Sequence, residues 1–368
     1  LEKSQLKILF ISHSSVLKSH QRKLAILAEK YGHEIILVTP PYWPEGGVKT
    51  IPYTGYPSIT YLTGKVWFPK KMVHIYLDAR DILKKTDPDI VYIEEEPFDF
   101  ACYEFISAAV KSGKKAAFFT WENIRRGHNF IYTYFNDFCI AKASGAVAGN
   151  AEAKDILLEK GFKKDVAILP QYGVDTAEFT KKKEREQGAP FNVAFVGRLT
   201  VEKGIGIILE AFSGPDNAIL HIAGTGPMEG LLRETVHKEK MDDRVKFYGH
   251  VEREEIPKFL SAMDCLVLPS ITTANWKEQF GRVIIEAFAA GVPVIGSDSG
   301  EIPRVIGDAG LIFHEGSADG LKARLKELIA GSDLYKELQN KGLRRVKENF
   351  TNEKIAQRLD EFFRALVK

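Results

Sequence analysis

The side chains best suited to holding a phosphate lie in three turns of the second half of the chain. FVGR runs into LTVEKG, so Gly197, Arg198 and Lys203 fall at one strand–helix junction. HIAG runs into TGPMEG, a turn in which Gly224 and Gly226 would let backbone approach a ligand closely. LVLPS runs into ITTANWKEQFGRVIIEAFAAGVPVI, which carries Glu278, Phe280, Gly281 and Glu286. Cations, glycine-rich backbone and helix N-termini are the physical means of gripping a diphosphate. Glu278 and Glu286 would be separated by roughly 12 Å of rise in a continuous helix. That span suits a nucleotide sugar from ribose to hexose, and exceeds the roughly 5–5.5 Å of a retaining glycosidase pair. Gly281 predicts a helix that starts close to it and leaves Glu278 in the preceding loop.

Elements of a parallel sheet must position these turns. Short apolar runs recur between amphipathic stretches: KILFIS (7–12), HEIILVTP (33–40), DIVYIEE (89–95), KAAFFTW (115–121), AVAGN (146–150) and VAILPQ (166–171). Helices are expected at 18–32, 99–112 and 151–161, the first and last stopping at Gly32 and Gly161. Residues 176–190 are polar, end in Gly-Ala-Pro and read as a linker. The rhythm restarts with FNVAFVGR (191–198), AILHIAG (218–224), VKFYGH (245–250), CLVLPS (265–270), PVIGSD (293–298) and LIFH (311–314), with helices at 204–213, 227–240, 253–263 and 282–290. Apolar strands alternating with helices predict an α/β fold of two doubly wound parallel-sheet domains in series. In such sheets ligands bind at the carboxyl ends of strands, where all three turns lie.

Composition narrows the function classes. The chain has 368 residues, 45% hydrophobic and 27% charged, with net charge +2. This fits a globular protein of two domains, not a disordered chain or a nucleic-acid binder. Cys102, Cys139 and Cys265 sit in apolar stretches without metal-ligand spacing, and read as reduced core residues of a cytosolic protein. No run of 18 apolar residues appears, and LEKSQLKILFIS turns polar too quickly for a secretory signal. KVWFPKK (65–71) places Trp67 and Phe68 among lysines, a pattern that could touch an anionic membrane surface; a solvated loop is the favoured reading. Asp87-Pro88-Asp89 precedes a strand, at its amino edge, and is expected to be a turn and not a metal site.

VGRLTVEKG (196–204), AGTGPM (223–228), FYGHV (247–251), EQFGRVIIEAFAAGVPVIGS (278–297) and GEIPRVI (300–306) together resemble the nucleotide-binding domain of family 4 retaining glycosyltransferases of the GT-B fold. The resemblance covers most of residues 145–350. It implies two Rossmann-like domains facing a cleft. Residues 1–173 plus 352–368 would form an acceptor-side domain, with the last helix returning to it. Residues 174–351 would form a nucleotide-sugar domain, with Gly173 of PQYGVD easing the crossing. It implies that Arg198 and Lys203 grip the donor diphosphate. Glu278 would contact the sugar near the reacting carbon and Glu286 the ribose hydroxyls. Backbone at Phe280 and Gly281 would face the phosphate or sugar, and His250 and Val251 the base. The implied donor is a UDP-sugar or GDP-sugar, the acceptor a glycan or lipid-linked hydroxyl, and no metal or other cofactor is expected. The setting would be cytoplasmic, at the inner face of a membrane, in polysaccharide, glycolipid or envelope glycan assembly.

The first half departs from that family pattern. Where members often show Gly-Gly after the first strand, this chain has SHSSVLKSHQRK, with Ser14 and Ser15 as small residues able to approach a ligand. Where members often carry a histidine after a strand, TWENI offers Glu122 and Asn123, with His128 further on read as a surface residue. Three alternatives therefore stay open: a sugar-nucleotide epimerase on the same fold, a non-catalytic nucleotide-sugar-binding protein, and an NAD-dependent oxidoreductase. The last is disfavoured, because Gly224-Thr-Gly226-Pro-Met-Glu-Gly230 is one residue too long for the dinucleotide fingerprint.

Overall fold

The computed structural model describes residues 5–45, 48–68, 74–127, 129–180, 188–212 and 217–368. His128, residues 69–71 of the basic-aromatic stretch, and residues 181–187 of the expected linker lie outside the described residues. The chain divides into two compact units, Leu1–Gly173 with Asn352–Lys368, and Val174–Thr351.

The first unit contains β1 (Lys7–Ile11), α1 (Lys18–Tyr31), β2 (Glu34–Thr39), β3 (Trp43–Glu45), β4 (Val48–Thr50), β5 (Ile59–Thr63), β6 (Val66–Trp67) and β7 (Ile75–Tyr76). It continues through α2 (Ala79–Thr86), β8 (Ile90–Ile93), α3 (Phe100–Lys111), β9 (Lys115–Thr120), α4 (Phe130–Lys142), β10 (Gly145–Ala148), α5 (Ala151–Glu159) and β11 (Val166–Ile168). Seven strands form one parallel sheet in the order β11-β10-β9-β8-β1-β2-β5. Their continuous apolar runs follow from burial on both faces. Leu9, Ile11, Ile36, Val38, Val91 and Ile93 enter one core, and Ile8, Phe10, Ile35, Leu37, Ile90 and Tyr92 the other. The last helix, α13 (Asn352–Leu366), closes the second of these cores. Its Phe363 packs edge-on against Phe10 and Tyr92, with ring centroids 5.7 and 5.2 Å away.

The second unit runs β12 (Phe191–Val196), α6 (Ile205–Phe212), β13 (Ala218–Ala223), α7 (Glu229–Lys238), β14 (Val245–Gly249), α8 (Ile256–Ser261), β15 (Cys265–Leu268), α9 (Arg282–Ala289), β16 (Val294–Ser297), α10 (Ile302–Ile306), β17 (Gly310–Phe313), α11 (Ala318–Ala330) and α12 (Ser332–Asn349). Its parallel sheet has the order β14-β13-β12-β15-β16-β17. Val193, Phe195, Leu220, Ile222 and Val267 of this sheet pack against Ile208, Leu209, Leu321 and Leu325.

Several boundaries differ from the sequence reading. The helix expected over 253–263 is a 3-10 turn at Arg253–Glu255 followed by α8, with Pro257 in the first helical turn. Strand β8 ends at Ile93, so Glu94, Glu95 and Glu96 project beyond the ladder at its carboxyl end. Strand β5 and the hairpins β3–β4 and β6–β7 are additions. Asp87 and Asp89 lie at the amino edge: Asp87 caps α2 in the left-handed region, and Asp89 accepts the Lys7 N–H at 2.8 Å. The three cysteines are free and buried. No helix among the described residues is long and apolar enough to cross a membrane.

Candidate functional site

In the second unit, β13, β12 and β15 are neighbours, so their three carboxyl-end turns meet. Gly197 N donates to Ala223 O at 3.0 Å, and Leu199 N to Thr225 O at 2.9 Å. The backbones are too close for side chains. A Cβ at Gly224, where φ is 144°, would lie 1.8 Å from Gly197 O. One at Gly226 would lie 2.4 Å from Leu199 O. Glycine is required at both places by contact between turns within the protein itself.

Lys203 and Glu278 converge above these turns. Lys203 Nζ donates to Glu278 Oε2 at 2.6 Å, and Ser270 Oγ donates to the same oxygen at 2.9 Å. The ammonium also sits 4.8 Å from the centre of the Trp276 ring, within cation–π range. Glu301 N donates to Glu278 O at 3.1 Å and anchors the loop that carries the carboxylate.

The other expected donor-side residues spread around this pair. Arg198 exposes 68% of its side chain, its guanidinium 3.7 Å from Glu202. Gly281 is the N-cap of α9 with φ 75°, so Glu278 lies in the loop and Glu286 on the helix. Glu286 accepts a hydrogen bond from Arg282 Nε at 2.9 Å. Burial raises its carboxyl above the ordinary value, against the opposing pull of Arg282. Phe280 is buried and packs edge-on to Phe350 at 5.8 Å. His250 is exposed, 3.5 Å from Glu252, and Val251 is half-buried.

The first unit holds a cavity of about 290 Å³ lined by His13, Ser14, Trp43, His74, Glu94, Glu95, Glu96, Asp99, Phe119, Trp121, Gln171 and Tyr172. His13 follows β1, and Glu94–Glu96 follow the adjacent β8, so neighbouring strand ends supply the polar wall. His13 Nδ1 lies 2.5 Å from Glu95 Oε2, and its ring packs at a tilt against Trp43, with centroids 4.3 Å apart. His74 is fully buried, with Nε2 3.6 Å from Glu95 Oε1 and Nδ1 3.7 Å from Asp99 Oδ2. Burial acts to lower the His74 pKa, but the Glu95 and Asp99 carboxylates outweigh it and hold the ring above its ordinary value. Burial acts to raise Glu95, yet the two imidazoles hold it well below the usual carboxylate range. Burial pushes Glu96 up to about 7, although it accepts hydrogen bonds from Thr120 Oγ1 at 2.6 Å and Trp121 N at 2.8 Å. Lys23 forms a buried ion pair with Glu94 and donates to Gln171 O at 2.7 Å.

Of the four acceptor-side candidates, Ser14 alone lines this cavity, where it accepts a hydrogen bond from Tyr172 OH at 2.8 Å. Ser15 is buried beneath it, and its N–H donates to Ser12 Oγ at 3.2 Å. Glu122 is engaged by Lys160 in an ion pair, and Asn123 reaches Glu152 at 3.5 Å. The sequence reading passed over His13, His74 and the three glutamates. Their signal was available, since three consecutive carboxylates end a buried strand at the edge where ligands bind.

Residues 176–345 match the family model described as glycosyl transferases group 1. The chain is 28% identical over 211 residues to the putative colanic acid biosynthesis glycosyltransferase WcaL of Salmonella typhimurium, covering 55% of this chain and 52% of that protein. It thus spans about half the length of the curated relatives it matches. The fold matches a glycosyltransferase from Rickettsia africae with a TM-score of 0.77 at 17% identity, over the full length of both chains. It also matches Anabaena HepE, solved in complex with UDP, with a TM-score of 0.74 at 15% identity, over 98% of this chain and 100% of that one. The fold is that of the GT-B glycosyltransferases, two Rossmann-like parallel-sheet units. The residues that match the glycosyl transferases group 1 model carry the Lys203–Glu278 pair.

Proposed function

We propose that this chain is a retaining glycosyltransferase, similar to family 4, that moves a hexosyl group from a UDP- or GDP-sugar to an acceptor hydroxyl in envelope glycan assembly. The observation that carries this reading is the Lys203–Glu278 pair, held over the turns at the carboxyl ends of three adjacent strands, two of which meet at Gly224 and Gly226. The colanic acid biosynthesis role of the WcaL relative and the UDP complex of HepE support it.

In this reading the donor diphosphate lies against Arg198, Lys203 and the N-terminus of α9 at Gly281. As the glycosidic bond breaks, negative charge grows on the leaving phosphate, and these groups stabilise it without a metal ion. Lys203 shifts from Glu278 toward the phosphate, and the released carboxylate faces the sugar. Glu286 accepts hydrogen bonds from ribose, with the base toward His250 and Val251. The acceptor enters the first unit's cavity near Ser14, where aromatic rings suit the faces of a sugar and carboxylates accept its hydroxyl protons.

Transfer is tested by supplying a nucleotide sugar with and without candidate lipid-linked acceptors. Nucleoside diphosphate released only with acceptor, together with an α-linked product from an α-linked donor, supports the reading. Sugar isomerised without any acceptor would instead indicate an epimerase.

A further inference from the structure

We propose that His13, His74 and Glu95 of the first unit bind one divalent metal ion of the zinc class, with Asp99 orienting His74. Two imidazoles and a carboxylate are a donor set for such an ion, and a three-residue set leaves a fourth position open. Their ligand atoms all lie within 4.8 Å of one another.

The second observation is His74 itself. It is fully buried, lines the cavity, and neither ring nitrogen makes a hydrogen bond. Its carboxylate neighbours stand at 3.6 and 3.7 Å, beyond hydrogen-bond distance. Leaving a buried donor or acceptor unsatisfied is costly. Two ligands on one tetrahedral zinc ion, with bonds of about 2.0–2.2 Å, stand roughly 3.4 Å apart. The 3.6 Å between His74 Nε2 and Glu95 Oε1 is close to that separation. On the other side of the ring, Asp99 Oδ2 faces Nδ1, the place of the carboxylate that usually orients a metal-bound histidine. Trp43, packed at a tilt against His13, braces the second ring. Binding would exchange the short His13–Glu95 hydrogen bond for bonds to the ion, with the fourth position facing the cavity. The inference does not depend on the transferase reading.

The test uses the full chain, stripped with a chelator and titrated with zinc by calorimetry, and with cobalt by visible absorption. One saturable equivalent is expected, with cobalt giving the intense bands of a tetrahedral site. His74→Gln and Glu95→Gln should each weaken zinc binding at least tenfold, and Asp99→Asn about tenfold. His13→Gln guards against misfolding of the buried variants, because His13 is partly exposed; it too should weaken binding at least tenfold while the circular dichroism spectrum stays unchanged. Absence of saturable binding, or undiminished binding in a folded His13→Gln variant, would overturn the proposal.

Discussion

Lys203 and Glu278, 75 residues apart, meet with Nζ 2.6 Å from Oε2. One belongs to the turn after β12, the other to the loop before α9. Their pairing means that a cation and a carboxylate with different expected roles guard one point. Replacing Glu278 by Gln keeps the shape and removes the charge. Transfer should fall about a hundredfold, equivalent to ~2.7 kcal/mol of transition-state stabilisation. Nucleotide should still bind, because Lys203 remains; steady-state kinetics and calorimetry on the same variant check both halves.

Arg198 lies on the surface and contributes little to packing. Arg198→Ala should leave the melting temperature unchanged. It should weaken nucleoside diphosphate binding by about 10- to 150-fold, the loss of one charge-assisted hydrogen bond of about 1.5–3 kcal/mol. Affinity measured at low and high salt should converge between wild type and variant if the contribution is electrostatic.

Gly224 tests the close contact of the turns. A Cβ would strike Gly197 O at 1.8 Å, and φ is 144°. Gly224→Ala should cost at least about 3 kcal/mol. Gly230→Ala is the control: it lies in α7 with open space around the new methyl, and should stabilise by about 0.5–1 kcal/mol. Thermal melts of the two variants should move in opposite directions.

Much of the fold could be read from the chain because burial on both faces demands continuous apolar runs, and KILFIS or CLVLPS can be little else. The residues expected on the donor side could be located for a related reason: Arg198 and Gly224 follow such a run directly, and Glu278 lies in the loop between CLVLPS and the next helix. The cavity of the first unit could not be. Glu94–Glu96 mark the end of a buried strand, but His13 joins Glu95 only once β8 lies beside β1, and His74 comes from the segment just before β7, so no local spacing announces the cluster. Hairpins such as Val66–Trp67 with Ile75–Tyr76 are too short to show alternation. Glu122, which stands where a histidine was expected, is spent on Lys160, a pairing between β9's end and α5 that local sequence could not disclose.

Glu96 gives a pH signature. Its carboxyl titrates at about 7 in the folded protein, raised by burial, against an ordinary value of 4.5. The native state therefore holds a proton that the unfolded chain has released, and stability falls as pH rises from about 4.5 to 7. The loss is at most about 3 kcal/mol. Glu96→Gln retains an acceptor for Trp121 N–H and a polar partner for the Thr120 hydroxyl. This variant should be more stable than wild type at pH 8 and no more stable at pH 4.5. Urea unfolding at the two pH values measures the difference.

The central claim is that the second unit holds a nucleoside diphosphate sugar at Arg198, Lys203 and Glu278. The most direct measurement is calorimetric titration of wild type and Arg198→Ala with UDP, GDP, ADP and their hexose conjugates. The account predicts one nucleotide class that binds wild type in a single equivalent and loses at least tenfold in the variant. Wild type that binds none of them, or a variant with undiminished affinity, would contradict it.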